Sequence, residues 1–390
     1  MSAAIADVQG QGPPGLHTGT HDPLRILVIP KAESSGTSER SPSLYRLMRS
    51  RHRVAALEAP WDGILYNPSR ARWPRLFLYI VDKILLGLRG LVYARRFRAQ
   101  VVFCETAHHA IAGLAIAKIL GIRCVWDSHG NGKLFYESLG KSRLAVRLIG
   151  AFEKFLGNRV DALMTVSGVD AAAYVSMGLD PSKIHVVPVF VNLHEIDSTL
   201  QSSSSPPTAP TSGRPALIFM GSFGYSPNRE ALEWANDVLA PYLERRGTPC
   251  EIWIAGREIP KVPFHPYIRP LGFVPNIYAC IRSASLCIVP VRRGVGMLTK
   301  VIDSMAVGTP VVLFDFAAKG IPELRAGFNA YVATTDSEFL RDVEEALSDP
   351  EGRRAMSVRA RRLVEQKFDR EAYAGQLDAI IRGPTGVPGG

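Results

Sequence analysis

Short apolar runs alternate with amphipathic stretches along most of this chain. L-R-I-L-V-I at residues 24–29 has the length and composition of a strand, and a loop containing Ser34, Ser35 and Gly36 separates it from a predicted helix between Ser43 and about Arg51. The alternation continues with V-V-F-C near residue 101, the helical A-I-A-G-L-A-I-A-K-I-L ending at Gly121, the strand I-R-C-V-W and a helix across residues 143–157. A strand A-L-M-T-V, a helix after Ser167 and a last strand, I-H-V-V-P-V at residues 184–189, complete this half. Such alternation predicts a parallel sheet covered by helices on both faces.

Residues 200–215 read L-Q-S-S-S-S-P-P-T-A-P-T-S-G-R-P, with no apolar period and almost no charge, the composition of a flexible linker. The pattern then resumes: strand A-L-I-F-M before Gly221 and Ser222, a helix over about 229–246, strand E-I-W-I-A before Gly256, and strand L-C-I-V-P. A chain of 390 residues exceeds one compact core. The predicted organisation is a disordered tail (1–23), a first α/β domain (24–199), the linker (200–215), a second α/β domain (216–366), a terminal helix (367–382) and a short tail (383–390).

Charge divides the halves. Residues 1–195 hold 24 Lys and Arg against 15 Asp and Glu, whereas residues 196–390 hold 22 against 21, so nearly all of the net +10 belongs to the first half. A basic half-molecule attracts polyanions. Between Arg70 and Arg98, Arg70, Arg72, Arg75, Lys83, Arg89, Arg95, Arg96 and Arg98 are interleaved with Trp73, Phe77, Ile80, Ile84, Leu85, Leu88, Leu91 and Val92, and Asp82 is the sole acid. No apolar run there reaches the roughly 20 residues that span a bilayer. A basic amphipathic helix of this kind is suited to the headgroup region of an anionic membrane; the competing reading is an ordinary sheet-covering helix with a solvated basic face. Nucleic acid is not expected as a partner, because no reader motif accompanies the charge. The N-terminal residues have no apolar run of the signal-peptide kind, and the five scattered cysteines suggest neither a disulfide framework nor a zinc site, so a cytoplasmic protein, peripheral at the inner membrane face, is expected.

The segment from Arg292 to Val312 carries the most specific chemistry. Gly294 and Gly296 allow a tight turn into a helix whose free N–H groups form a seat for phosphate oxygens. Lys300 falls in the first turn, and Asp303 lies roughly 4.5 Å further along the same face; the competing reading of that spacing is a solvated ion pair. Gly308, Thr309 and Pro310 end the helix and launch the strand Val311–Phe314.

This block, G-V-G-M-L-T-K-V-I-D-S-M-A-V-G-T-P-V-V, resembles the donor-binding signature of the retaining glycosyltransferases of the GT-B fold, most closely family 4. The resemblance implies two Rossmann-like doubly wound domains facing a central cleft, a nucleoside-diphosphate sugar as donor, and no cofactor or metal. It makes Lys300 the diphosphate ligand and Asp303 the ribose ligand, and it draws Gly221, Ser222, Asn228, Arg257, Phe273, Val274, Gly296, Met297, Leu298 and Glu323 into the donor site. Ser222 and Asn228 stand where many members carry an arginine and a lysine that clamp the diphosphate, and two positions of this block also depart from the family pattern. Val295 stands where a glutamate usually touches the transferred sugar, and Asp303 is one methylene shorter than the usual glutamate. Those departures leave open a non-catalytic binding module of the same fold, and a sugar-nucleotide epimerase shares the architecture.

In the first domain, W-D-S-H-G at residues 126–130 follows a strand and resembles the family's D-x-H motif near the reacting sugar. His129 and Asp127 are therefore expected at the transferred sugar or the acceptor, and a plain loop histidine with a turn-capping aspartate is the alternative. Glu105, His108 and His109 at the end of another strand form a weaker metal hypothesis, since no spacing fixes them as a ligand set. The expected acceptor is a saccharide or lipid-linked sugar at the inner membrane surface.

Overall fold

The computed structural model describes residues 22–30, 40–58, 72–202, 213–294 and 296–384, without the side chains of 72–79. The N-terminal tail to residue 21, the loop at 34–36, Arg70, most of the linker, Val295 and the last six residues lie outside the described residues.

The first sheet contains β1 (Arg25–Ile29), β2 (Arg53–Ala56), β3 (Val101–Glu105), β4 (Arg123–Ser128), β5 (Ala162–Thr165) and β6 (Ile184–Val186), all parallel in the order β2-β1-β3-β4-β5-β6. The second contains β7 (Ala216–Ser222), β8 (Glu251–Arg257), β9 (Ile268–Gly272), β10 (Leu286–Val289), β11 (Val311–Phe314) and β12 (Tyr331–Ala333), parallel in the order β12-β11-β10-β7-β8-β9. Each order reverses once, between β1 and β3 in the first sheet and between β7 and β10 in the second. At such a switch point the flanking loops diverge and leave a crevice at the carboxyl ends of the strands. The two doubly wound sheets match the expected fold class.

The inner strands are buried on both faces, which is why they read as unbroken Val/Ile/Leu runs. Trp126, Phe103, Trp253 and Phe219 anchor the two cores without solvent exposure. β9 is an edge strand containing Pro270, and a register shift at Ile254/Ala255 accompanies it. An edge is where a strand proline loses no ladder bond. The helix predicted over about 229–246 runs from Ser226 to Arg245 with a π-helical turn at Ala235–Leu239.

The described chain divides into two compact units. One takes residues up to Val187 apart from Arg40, and the other takes Arg40 and Pro188–Ala372. Residues from Tyr373 onward join the first unit, where Asp378 pairs with His52 at 3.0 Å and the carbonyl of Ile380 accepts from Arg123 Nε at 3.1 Å.

The basic amphipathic stretch forms a helix, Arg72–Phe97. Lys83 does not belong to its solvated basic face: it is buried and pairs with the fully buried Asp82 at 2.9 Å. No described helix is long and apolar enough to cross a membrane.

Candidate active site

In the second unit the site is built where β7 and β10 meet. Gly221 is the penultimate residue of β7, and its carbonyl lies where a side chain on Gly256 (φ 141°) would collide with it, so the β7 and β8 backbones approach as only glycine allows. The chain turns through Phe223–Tyr225 into the helix beginning at Ser226, which brings Asn228 back over the turn. Its amide donates to the Ser222 carbonyl at 2.9 Å, and its Oδ1 accepts from Lys300 Nζ at 2.8 Å. That network fixes which way the Asn228 amide points.

Lys300 lies in the first turn of the helix Thr299–Ala306, with its side chain only 5% exposed. Its ammonium sits 4.6 Å from the centre of the Phe219 ring, and burial pulls its pKa down to about 7. No carboxylate among the described residues forms an ion pair with it. A buried ammonium held by one neutral oxygen and a ring face is under-compensated, and an anion beside it would repay the desolvation.

The same helix lacks a side-chain cap, since Leu298 occupies the N-cap position. Val301 N–H turns back to the Leu298 carbonyl at 3.1 Å, and the N–H groups of Thr299 and Lys300 ahead of it stay open to an external acceptor. Gly294 (φ 131°) and Gly296 (φ 76°) provide the turn before it, and Gly320 fits so closely against the Gly296 carbonyl and Met297 that a Cβ there would lie 2.8 Å from that oxygen. Met297 is buried and Leu298 half-buried. Asp303, one turn on, is buried and accepts from the Tyr278 hydroxyl at 3.3 Å.

Of the other expected donor residues, Ser222 and Arg257 close β7 and β8, and Phe273, Val274 and Glu323 lie in loops. The Ser222 hydroxyl is held by Glu258 at 2.8 Å, which leaves its backbone as the group available to phosphate. Arg257 stacks its guanidinium on the 59%-exposed Phe273 ring at 4.7 Å, and Val274 follows on the half-exposed turn. Glu323 is half-buried, with its carbonyl accepting from Asn329 at 3.2 Å.

In the first unit, Asp127 at the end of β4 is fully buried, and His129 Nε2 lies 3.4 Å from its Oδ2 and 3.8 Å from Glu105 Oε1. Glu105 ends β3 beside the switch point and precedes Thr106, whose positive φ of 65° is strained for a β-branched residue. The Tyr45 hydroxyl faces this pair, and its pKa is pushed up by burial first and by Glu105 second. The loop carrying His129 is braced from below. Tyr174 bonds Ser128 Oγ at 2.8 Å and Glu153 at 3.0 Å, Glu153 also accepts from Gly132 N, and Asp170 accepts from Asn131 N at 2.9 Å.

Glu105, His108 and His109 do not converge. His109 turns back to bond the Glu105 carbonyl at 3.0 Å, and His108 stacks on Phe152. The group that does converge is Glu105, Asp127 and His129, with one ligand atom from each lying within 4.8 Å of the others. Sequence reasoning had not joined Glu105 and Tyr45 to His129, nor Tyr278 to Asp303; only the sheet order brings them together.

A lysine and an uncapped helix at the switch point of a doubly wound unit form an arrangement suited to a phosphorylated ligand. The family model described as Glycosyl transferases group 1 matches residues 214–349, and the Glycosyl transferase 4-like domain matches residues 25–189. The chain thus belongs to the GT-B glycosyltransferases of the family 4-like type. Solved structures with similar folds include HepE of Anabaena in complex with UDP-glucose (13% identity, 92% of this chain and 99% of that one, TM-score 0.68). Others are sucrose-phosphate synthase from Thermosynechococcus elongatus (14% identity, 92% and 98%, TM-score 0.69) and a UDP-forming α,α-trehalose-phosphate synthase from Burkholderia xenovorans (12% identity, 94% and 100%, TM-score 0.69). A search of curated proteins found no match.

Proposed function

We propose that this glycosyltransferase moves a hexosyl-type sugar from a nucleoside-diphosphate sugar to a saccharide or lipid-linked acceptor at an anionic membrane surface, with retention of anomeric configuration, in polysaccharide assembly. One observation carries the donor half: the buried, unpaired Lys300 ammonium beside an uncapped helix N-terminus at the β7/β10 switch point. The diphosphate rests there, and the charge that builds on it as the glycosidic bond breaks is stabilised by Lys300 and the helix N–H groups, without a divalent cation. Asp303 holds the ribose, oriented by Tyr278. Backbone at Gly221–Ser222 and the Gly296–Leu298 turn line the phosphates and sugar, and the Phe273–Val274 turn meets the base. The complex of the similarly folded HepE with UDP-glucose favours a UDP-linked donor. His129, positioned by Asp127, hydrogen-bonds the transferred sugar or the acceptor. Retention rests on the family resemblance.

The membrane reading is supported by the outward face of the helix Arg72–Phe97. Ile80, Ile84, Leu88 and Val92 recur every fourth residue and are 49–59% exposed, beside the exposed Arg89, Arg95 and Arg96. The helix Arg143–Gly157 exposes Leu144, Leu148 and Phe155 as well. Each basic residue near anionic lipid contributes about 1 kcal/mol. Thermal-shift screening against UDP-, GDP- and ADP-sugars tests the donor, because a bound donor raises the melting temperature by mass action. Silence across that panel refutes the reading. Flotation that does not distinguish anionic from neutral vesicles refutes the membrane surface.

A further inference from the structure

At the opposite end of the second sheet, where β10 and β11 begin, lies an open cavity of about 960 Å³ whose lining includes five arginines, Arg282, Arg353, Arg354, Arg361 and Arg362, and a single acid, Glu365. Two of the arginines have structural work. Arg353 donates to the carbonyls of Ala346 and Leu347 at the end of the helix Asp336–Ser348. Arg361 is neutralised by Asp197 at 2.8 Å and Glu365 at 2.9 Å while also donating to the carbonyl of Ala306. Arg282, Arg354 and Arg362 are exposed, and among the described residues no hydrogen bond or ion pair holds their guanidinium groups. Arg354 and Arg362 lie eight residues apart on the helix Pro350–Lys367 and so share a face, which directs both to the concavity that Arg282 borders.

Three exposed guanidiniums border one concavity whose lining acid, Glu365, is committed to Arg361, and the surplus positive charge left there is one that a multiply charged anion would neutralise. The flat fork of arginine pairs in bidentate fashion with phosphate oxygens. The volume suits a small molecule of nucleotide size. We propose that this cavity is a second anion site, distinct from the donor seat, which takes a soluble oligophosphate or multiply phosphorylated small molecule. Its inner wall includes Ala306–Pro310, at the C-terminal end of the helix whose first turn carries Lys300, where Arg361 and the Ser357 hydroxyl already take the Ala306 and Gly308 carbonyls that would otherwise repel an anion.

The test is calorimetric titration of the full chain with inorganic tripolyphosphate, which either site is able to accept. Three proteins are compared: the Lys300→Met variant, the R282Q/R354Q/R362Q triple variant, and the two combined. The Lys300→Met protein is expected to keep tripolyphosphate binding that weakens with salt, and adding the triple change to lower it by at least about tenfold. An Arg354→Lys change is expected to lose less than Arg354→Gln, as befits a charge lacking the fork. Abolition of all binding by Lys300→Met alone would overturn the proposal. So would equal affinity in Lys300→Met and the combined variant, or arginine-dependent binding of phosphatidylglycerol vesicles with none of tripolyphosphate.

Discussion

Replacing Lys300 by methionine is expected to stabilise the free protein and to remove donor binding. Methionine keeps an apolar stem against Phe219 while deleting the ammonium. Burial lowers the lysine from its ordinary 10.5 to about 7, which at ~1.4 kcal/mol per unit sets a ceiling of about 5 kcal/mol on the penalty of carrying that charge. The lost bond to Asn228 Oδ1 and imperfect packing return part of this, leaving a net gain of about 1–3 kcal/mol. The pH dependence has a definite sign. Below pH 7 the folded and unfolded chains both carry the proton and the penalty is felt in full; from 7 up to 10.5 the folded chain gives up the proton that the unfolded chain keeps, and the penalty fades. The methionine variant should therefore melt several degrees above the wild type at about one unit below that pKa, and the gap should close as pH rises towards 10. It should lose most of the wild-type melting shift with UDP and UDP-sugars. A variant that melts lower than wild type in mild acid, or that retains the wild-type UDP shift, would refute the reasoning.

Asp303→Ala should raise KM for the donor by about 10- to 100-fold, the loss of a hydrogen bond to a charged acceptor, and Tyr278→Phe should do so more weakly; initial-rate kinetics separate the two. His129→Ala and Asp127→Asn should lower turnover by about 10- to 100-fold, the loss of one strong hydrogen bond to the reacting sugar or the acceptor, while the Kd for UDP, measured by titration, changes by less than about twofold. Tyr174→Phe strips partners from Ser128 and the buried Glu153, so a stability loss of about 1–3 kcal/mol is expected in denaturant unfolding. Ile84→Ser with Leu88→Ser should abolish flotation with anionic vesicles and leave the melting temperature within a degree or so, since both side chains are more than half exposed.

Much of the fold was legible because parallel strands buried on both faces leave a plain apolar run. β7, β8, β10 and β11 are such runs, the first three closed by Gly221, Gly256 and Pro290 and the last launched by Pro310. β2, β9 and β12 were not legible: R-V-A-A, I-R-P-L-G and Y-V-A are short edge or near-edge segments with polar or proline positions that no periodicity marks. The helix Asp336–Ser348 did carry a usable signal, the Thr335/Glu338 capping box. Lys300 and its glycine-led turn were visible because that motif is local. Its bond to Asn228 was not, since 72 residues separate them and only the β7/β10 adjacency brings them into contact. The same holds for Glu105 and His129, joined by the pairing of β3 with β4. Lys83 misled for the opposite reason, because composition counts a charge without telling which way it points. The arginine cavity was hidden by averaging: the second half is nearly neutral in total, and folding gathers its cations at one end.

The most direct measurement is a crystal structure of the chain soaked with UDP. The account predicts a β-phosphate oxygen within about 3 Å of Lys300 Nζ and of an N–H in the first turn of Thr299–Ala306, with the ribose against Asp303. A diphosphate bound elsewhere, with the lysine still bonded only to Asn228, would contradict it.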